Sequence, residues 1–402
     1  MKVPFSPPDI SELEIAKVTE VLQSGWITTG PVVKEFEAKI CEFLGCNKAV
    51  ALSSATAALE GALRMIGVGE GDEVIVPAYT YTATASPVIH VGGTLKICDV
   101  AEGSFEMDYD KLADMINENT KAIVAVDLGG IIADYERLYE IVESKKDLFK
   151  ANGKVQEALG RVAVVADGAH SFGSSKNGVM AGCIADFTSF SFHAVKNLTT
   201  AEGGAITWKT IPGVDDDELY KDLQLYSLHG QSKDALAKNK AGAWEYDVLY
   251  PAYKCNMTNI NAAIGVAQLE RYDALLARRR QLNENYYNAF TAEGIICMEH
   301  YKAPMNSTGH LFLVRIPGAS AEQRNQIIED MAAEEIACNV HYKPLPMLTA
   351  YKNLGFDIKD YPNAYKQFEN LISIPVFSTM TDEQNAFVIE KFIECCKKRG
   401  LI

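Results

Sequence analysis

The feature that most constrains the fold is a regular alternation of short apolar segments with helix-like segments over the first two-thirds of the chain. Helix-like stretches such as Ala55–Met65 and Tyr135–Ser144 separate several of the apolar segments. The apolar segments are rich in β-branched residues, and they lie at Lys48–Leu52, Glu73–Val76, Thr94–Cys98, Ala122–Val126 and Val162–Ala166. Strand–helix alternation predicts a mostly parallel sheet covered by helices. We therefore expect a large, doubly wound α/β domain.

The character of the sequence changes after residue 260. Before that point we predict two further strands, and after it a mixture of strands and helices that indicates an α+β fold. The predicted elements are strands at Phe187–Phe192, Ala205–Trp208 and Leu311–Ile316, and helices at Asn261–Asn283, Ala321–Glu334 and Thr381–Lys397. We predict a large domain at residues 1–260 and a smaller C-terminal domain at residues 261–402.

Composition excludes several classes of protein. The 402 residues include 38 Lys and Arg against 53 Asp and Glu, which gives a net charge of −15. This acidic balance argues against nucleic acid as the main partner, because phosphate backbones are bound by clustered basic residues. With 48% hydrophobic and 23% charged residues the chain is typical of globular proteins and not of disordered ones.

Membrane, secretion and metal signals are weak. Met1–Ile10 lacks the basic and apolar stretches of a signal peptide, and the uncharged run Val74–Leu95 contains too many Pro, Gly and Thr residues for a membrane helix. The nine cysteines form no CxxC pair and no Cys/His zinc spacing. We expect no metal site and no membrane partner, with reduced thiols in the cytoplasm.

One anion site is predicted where the first strand meets a helix. The segment Ser53–Ala57 is Ser-Ser-Ala-Thr-Ala, which follows a buried strand and opens a helix. Free N–H groups and the helix dipole attract a phosphate there, and small side chains let it approach. The alternative is plain N-capping by Ser53 or Ser54.

A carboxylate follows the strand Val162–Ala166. Asp167 stands at the carboxyl end of this run, where α/β folds bind ligands, with His170 three residues later. A buried Asp needs hydrogen bonds or a cationic partner. The alternative is an Asp that caps the next turn.

Lys196 lies in the segment Ser189–Gly204, which is dense in polar side chains. Its neighbours include Ser191, His193 and Glu202, after an aromatic-rich strand. A partly desolvated Lys has a lowered pKa and becomes an amine nucleophile suited to Schiff-base chemistry. A helix-start phosphate site, a strand-end Asp and such a Lys together match the needs of pyridoxal 5′-phosphate (PLP).

The whole chain resembles the DegT-type (DegT/DnrJ/EryC/StrS) nucleotide-sugar aminotransferases, which are PLP-dependent enzymes of fold type I. It is most similar to UDP-4-amino-4-deoxy-L-arabinose aminotransferases and related sugar 4-aminotransferases. The motifs that carry the resemblance are Ser24–Pro31, Ser53–Ala57, Ser191–Asn197, Ala201–Gly204 and Tyr253–Ala263. Ala166 and Gly168, which flank Asp167, depart from the usual family residues.

The resemblance implies a role for each matching residue. Lys196 binds the cofactor aldehyde and carries a proton, Asp167 pairs with the pyridinium nitrogen, and the Tyr81 ring stacks on the cofactor. His170 lies near the ring phenolic oxygen. The remaining implied contacts are Ala55, Thr56 and Ser191 to the phosphate, Asn256 to the phosphate of the partner subunit's site in a homodimer, and His341, Tyr342 and Lys343 to substrate.

The implied reaction transfers an amino group from L-glutamate, with release of 2-oxoglutarate, to a keto group of a nucleotide-activated deoxysugar. Glu202-Gly203-Gly204 after a Thr-rich turn favours C4 of a UDP-sugar over C3. A turn is the alternative for the segment 341–344. The cluster Arg278–Arg280 suggests a diphosphate site, but we favour a solvated helix face.

Two other functions compete with the aminotransferase. A PLP-dependent sugar dehydratase of this family replaces the Schiff-base Lys with His, so Lys196 argues against it. A non-catalytic regulator with the same fold is expected to lose Asp167, Lys196 or the phosphate site, and all three are present.

Overall fold

A computed structural model describes residues 1–232 and 245–402 of the chain. Its central feature is a seven-stranded sheet with the strand order β1-β9-β8-β5-β4-β2-β3, in which only β9 runs antiparallel to its neighbours. The strands in the described part of the chain are β1 (Ala49–Leu52), β2 (Glu73–Pro77), β3 (Thr94–Cys98), β4 (Thr120–Val126), β5 (Ala163–Asp167), β6 (Ser175–Lys176), β7 (Val179–Met180), β8 (Phe187–Ser191), β9 (Gly204–Trp208), β10 (Ile296–Cys297), β11 (Met305–Asn306), β12 (Phe312–Arg315) and β13 (Leu371–Ile374).

Helices cover both faces of this sheet. The described α-helices are α1 (Glu12–Ser24), α2 (Pro31–Leu44), α3 (Ala55–Ile66), α4 (Thr82–His90), α5 (Tyr109–Met115), α6 (Tyr135–Ser144), α7 (Lys154–Leu159), α8 (Asp216–Ser227), α9 (Asn259–Glu270), α10 (Tyr272–Ala292), α11 (Ala321–Ala333), α12 (Thr349–Asn353), α13 (Pro362–Glu369) and α14 (Asp382–Lys398). None of the helices in residues 1–232 and 245–402 combines the length and apolar character that crossing a bilayer requires.

Successive side chains of a strand point to opposite faces of the sheet, which explains why both faces of this sheet are covered. In β2, Val74 and Val76 point into one hydrophobic core, which includes residues of α3 and α8. Ile75 between them points into a second core, which includes residues of α2 and α6. Strands buried on both faces read as continuous apolar runs, as the sequence does here. The predicted doubly wound α/β fold is confirmed, and the predicted strands are present with ends within about two residues.

The segment predicted as one helix, Asn261–Asn283, forms two helices instead, so that prediction is wrong. Helix α9 ends at Glu270 and α10 begins at Tyr272, and Arg271 between them has φ −123° and ψ 10°. The Arg271 guanidinium bonds Asp9 at 2.8 Å and Glu14 at 2.7 Å. The apolar pattern continues across this position, so the sequence did not indicate the break. At the break, Arg271 forms ion pairs with Asp9 and Glu14 near the start of α1.

A second, three-stranded sheet of order β10-β12-β13 follows in the C-terminal part. Helix α10 connects two cores: Tyr272 and Leu275 belong to the core beneath the large sheet, whereas Leu282 and Tyr286 belong to the core of the small sheet. Val3 at the N-terminus also joins the latter core. The division of the chain between residues 260 and 261 stays a prediction.

Candidate active site

A cleft of about 360 Å³ opens at the carboxyl ends of the large sheet's strands. The segments after β1 and β2, the last residues of β4, β5 and β8, and the segment 341–342 line it. Ligands of open α/β sheets bind at this edge. Nine of the eleven predicted site residues line the cleft, namely Ala55, Thr56, Tyr81, Asp167, His170, Ser191, Lys196, His341 and Tyr342.

The start of helix α3 forms one wall of the cleft. The Ser54 side chain caps the helix by accepting the Ala57 N–H at 3.1 Å. The N–H groups of Ala55 and Thr56 precede the intrahelical bonds, so they are available to an anion. A Cβ on Gly204 would lie 2.4 Å from the Ala55 nitrogen, so only glycine lets β9 approach this helix start. Capping and anion binding, the two sequence interpretations, are therefore compatible.

Asp167 ends β5 and is buried. Its Oδ2 accepts the Thr84 hydroxyl at 2.6 Å, and its Oδ1 accepts the Ala169 N–H at 3.2 Å. Burial raises the pKa of this carboxyl, while these two bonds and the charge of Lys196 oppose the rise. Asp167 makes no ion pair with any residue in the described part of the chain. A cationic ligand group would supply the missing partner.

Lys196 is half-buried in the loop after β8, where its N–H donates to the His193 carbonyl at 2.9 Å. Desolvation lowers the pKa of its amine to about 8, and the Asp167 charge opposes that change. At pH 8 about half of the amine with this pKa is neutral, and the neutral form acts as a nucleophile.

His170 is buried with its two ring nitrogens in different environments. Its Nδ1 lies 3.1 Å from the Gly129 N–H, which can only donate, so the ring proton is on Nε2. Nε2 lies 3.2 Å from the Tyr342 hydroxyl. Burial lowers the pKa of His170 well below its usual value, and the charge of Lys196 lowers it further. The ring therefore stays neutral and presents a donor towards the cleft.

Tyr342 is itself held in place by Tyr79, which follows β2. The buried Tyr79 hydroxyl donates to the His341 carbonyl at 3.0 Å and accepts the Tyr342 N–H at 3.0 Å. The Tyr342 ring lies 5.5 Å from the ring of Tyr81, whose side chain is 56% exposed at the cleft mouth. An aromatic face is thus available to stack on a planar ligand.

Sequence reasoning missed three residues that position the predicted ones: Thr84, Tyr79 and His310. The His310 ring lies 4.4 Å from the His170 ring, and its Nδ1 lies 2.8 Å from Asn197 Oδ1. A His at the edge of the apolar run Leu311–Ile316 was the available signal for His310. Thr84 and Tyr79 carried no signal, because hydroxyl residues after a strand are common.

Two predicted site residues do not line the cleft of this chain. Asn256 lies in a smaller depression, where its amide donates to the hydroxyl of Thr29. Lys343 is exposed. The predicted phosphate contact of Asn256 across a dimer and the substrate contact of Lys343 stay predictions.

The cluster Arg278–Arg280 is not a uniformly solvated helix face, so that prediction is wrong for its middle residue. Arg279 is buried, and its guanidinium donates to the carbonyls of His310 at 3.3 Å and Val376 at 3.1 Å. Arg278 pairs with Asp382, and Arg280 with Glu284. Successive residues of a helix point in different directions, so Arg279 faces the carbonyls of His310 and Val376 while its two neighbours point away from them.

The arrangement fits PLP on chemical grounds. PLP carries a phosphate, an aldehyde and a ring nitrogen that becomes cationic on protonation. The start of α3 offers N–H donors, Lys196 offers an amine of lowered pKa, and Asp167 is a buried acid without an ion-pair partner among the described residues. Each group of the cofactor therefore has a matching group in the cleft.

Comparisons with known proteins agree with this chemistry. The DegT/DnrJ/EryC1/StrS aminotransferase family matches residues 8–393. The spore coat polysaccharide biosynthesis protein SpsC of Bacillus subtilis is 35% identical over 392 residues, which cover 96% of this chain and 95% of SpsC.

Solved structures are similar over the whole length. The candidate sugar aminotransferase Spr1654 from Streptococcus pneumoniae, in its PMP form, is 52% identical with a TM-score of 0.97 and full coverage of both chains. Its PLP form is 51% identical with a TM-score of 0.96. Helicobacter pylori PseC, an aminotransferase of pseudoaminic acid biosynthesis, is 25% identical with a TM-score of 0.86 over 99% of this chain and 100% of PseC. The present chain belongs to the DegT/DnrJ/EryC1/StrS aminotransferase family and is a PLP-dependent aminotransferase.

Proposed function

We propose that this aminotransferase moves an amino group from L-glutamate to the C4 keto carbon of a UDP-activated deoxysugar, for a bacterial cell-surface polysaccharide. The proposal is supported by similarity over the whole chain to Spr1654, a candidate sugar aminotransferase, and to SpsC, a spore coat polysaccharide protein. The observation that carries it is the position of the Lys196 amine in a cleft that the buried acid Asp167 also lines.

Different residues of the chain have different roles in the proposed reaction. When bound, PLP supplies a ring that withdraws electrons from the carbon bearing the transferred amine. Asp167 would keep a positive charge on the ring nitrogen, and Thr84 holds the carboxylate in place. Lys196 would hold the cofactor aldehyde. It would also carry a proton between cofactor and substrate carbons, because its lowered pKa lets the amine both accept and donate a proton near pH 8. His170 donates from Nε2 towards the cleft.

The choice of C4 is based on the segment Thr199–Gly204. Glu202 and Gly203 line the cleft, and the Glu202 carboxylate lies 3.6 Å from His193 Nε2. Both side chains are exposed, so this pair is accessible to a substrate that enters the cleft. His341, Tyr342 and Lys343 would contact the sugar nucleotide or the donor carboxylate from the small domain.

The enzyme would work as a cytoplasmic homodimer with shared active sites. Support comes from a run of exposed apolar side chains, Val248, Leu249, Tyr250 and Tyr253, immediately before Asn256. Exposed apolar patches of this kind mark interaction surfaces. Light scattering should give twice the chain mass of 44.0 kDa.

The test supplies the PLP-loaded enzyme with L-glutamate and either a 4-keto or a 3-keto UDP-deoxysugar. We expect 2-oxoglutarate to accumulate beyond one equivalent per enzyme only with the 4-keto sugar. NMR should place the new amine at C4, and the kinetics should be ping-pong. Lys196→Ala is the matched control and should give neither product. Turnover of the 3-keto sugar alone would overturn the regiochemistry, and turnover of neither sugar would overturn the substrate class.

A further inference from the structure

A second cavity, of about 240 Å³, lies between the small sheet and the large domain. Its walls come from the loop between β3 and α5, from the end of β4 with the segment after it, and from β10 and β12. It shares only Val126 with the active-site cleft. Nothing in the proposed reaction uses it.

Arg315 at the end of β12 faces this cavity. Phe312 and Val314 of the strand point into the small sheet's own core, so Leu313 and Arg315 point to the opposite face and line the cavity. The Arg315 Nε donates to Asn370 Oδ1 at 3.0 Å. Throughout residues 1–232 and 245–402, no carboxylate pairs with its guanidinium. Burial accordingly lowers the pKa of Arg315.

Glu106 lines the same cavity from the large domain. Its Oε2 accepts the Asp134 N–H at 3.0 Å and the Tyr109 hydroxyl, which fixes the carboxylate on one side. No hydrogen bond to Oε1 occurs among the described residues, and Glu106 forms no ion pair with Arg315 within 4.0 Å. The cavity therefore holds one positive and one negative group that do not neutralise each other.

We propose that this cavity binds a free α-amino acid with an apolar side chain. The Arg315 guanidinium donates paired hydrogen bonds to the ligand's carboxylate, and the Glu106 carboxylate accepts hydrogen bonds from its ammonium group. The side chain would pack on apolar walls that include Leu128, Ile131 and Met298. Pockets for drug-sized ligands measure about 300–1,000 Å³, so a cavity of 240 Å³ suits a smaller ligand.

The ligand would sit one contact away from the active site. Phe105 lines the cavity, and its ring lies 5.0 Å from the ring of Tyr79. The Tyr79 hydroxyl holds the backbone at His341 and Tyr342 in the cleft. A ligand in this cavity could therefore affect the position of His341 and Tyr342 in the cleft. Its binding does not depend on the sugar proposed above.

The test measures binding of L-leucine to the PLP-loaded enzyme by calorimetry, and substitutions of Arg315 and Glu106 locate the binding site. N-Acetyl-L-leucine and L-leucine methyl ester lack one charge each and should not bind. Visible absorption reports any donor reaction at Lys196 separately, so the two proposals fail independently.

Substitutions of Arg315 and Glu106 test whether these two charged groups bind the ligand. Arg315→Gln and Glu106→Gln should each weaken L-leucine binding at least about tenfold, because each leaves one ligand charge unpaired in a partly buried site. The exposed pair on α6 supplies matched controls, Arg137→Gln and Glu140→Gln, which should leave affinity unchanged. Melting temperature and PLP content check folding. Absence of binding by L-leucine, L-valine, L-methionine and L-alanine, or unchanged affinity in both cavity variants, would overturn the proposal. Equal binding of the methyl ester would do the same.

Discussion

Two neighbouring strands end in buried carboxylates that differ in what surrounds them. Asp127 directly follows β4, and Asp167 ends β5 beside it. Three donors meet Asp127: the Ser171 hydroxyl at 2.6 Å, the Tyr135 hydroxyl at 3.0 Å and the Ala133 N–H at 3.1 Å. Its carboxylate thereby ties together the loop after β4 and the turn after β5.

Asp167 has only two such donors, and it faces the cleft that Lys196 also lines. A carboxylate has about four acceptor positions, so Asp167 keeps more unused capacity than Asp127. The comparison teaches that position at a strand end is not enough to identify a ligand-binding acid. The distinguishing property is the number of donors that the protein itself supplies.

The largest expected effect concerns Asp167. Asp167→Asn should lower kcat/KM at least about 10²-fold, because an amide does not hold a positive charge on the cofactor ring nitrogen. Steady-state assays with L-glutamate measure this loss. Asp127→Asn is the matched control, and a loss of similar size there would break the comparison.

Thr84 should come next, because it fixes the Asp167 carboxylate. Thr84→Val removes the 2.6 Å bond, and a hydrogen bond to a charged group contributes about 1.5–3 kcal/mol. We expect kcat to fall by about tenfold or more. Thr82→Val, which removes only a bond to Tyr351, should leave kcat within about twofold. Equal losses in the two variants would show that Thr84 acts through the helix and not through Asp167.

For stability, the larger loss should come from substitution of Asp127 and the smaller one from substitution of Asp167. Asp127→Ala leaves three donors without an acceptor and should lower the free energy of unfolding of the apo protein by about 3 kcal/mol. Asp167→Ala also relieves the burial of a poorly paired charge, so we expect a loss below about 1 kcal/mol. Urea unfolding measures both, and a larger loss in Asp167→Ala would contradict the assignment of Asp127 as structural.

The smallest expected effect is a shift in pH dependence. Binding of PLP by the apo protein needs the neutral Lys196 amine, so its rate should rise with pH through a midpoint near 8. The Asp167 charge raises the pKa of Lys196, so Asp167→Asn should move the midpoint to lower pH. Stopped-flow absorbance gives the profile. Asp127→Asn should leave the midpoint in place, and a shift there would mean that both acids act on the amine.

The sequence was sufficient to predict the strands and the groups at their ends, because apolar runs followed by small or charged residues carry that information locally. It placed Ala55, Thr56, Asp167, Ser191 and Lys196 correctly at one edge of the sheet. Contacts made at a distance along the chain could not be predicted. The Thr84–Asp167 bond joins residues 83 positions apart, and the Tyr79 contact with His341 spans 262.

The most direct test of the account is the visible absorption spectrum of the purified enzyme before and after L-glutamate. We predict a yellow band of Lys196-bound cofactor that bleaches with L-glutamate, returns with 2-oxoglutarate, and is absent from the spectrum of Lys196→Ala. A protein that stays colourless with added PLP, or whose band responds to no amino acid, would contradict the assignment of Lys196 and Asp167 as the centre of the site.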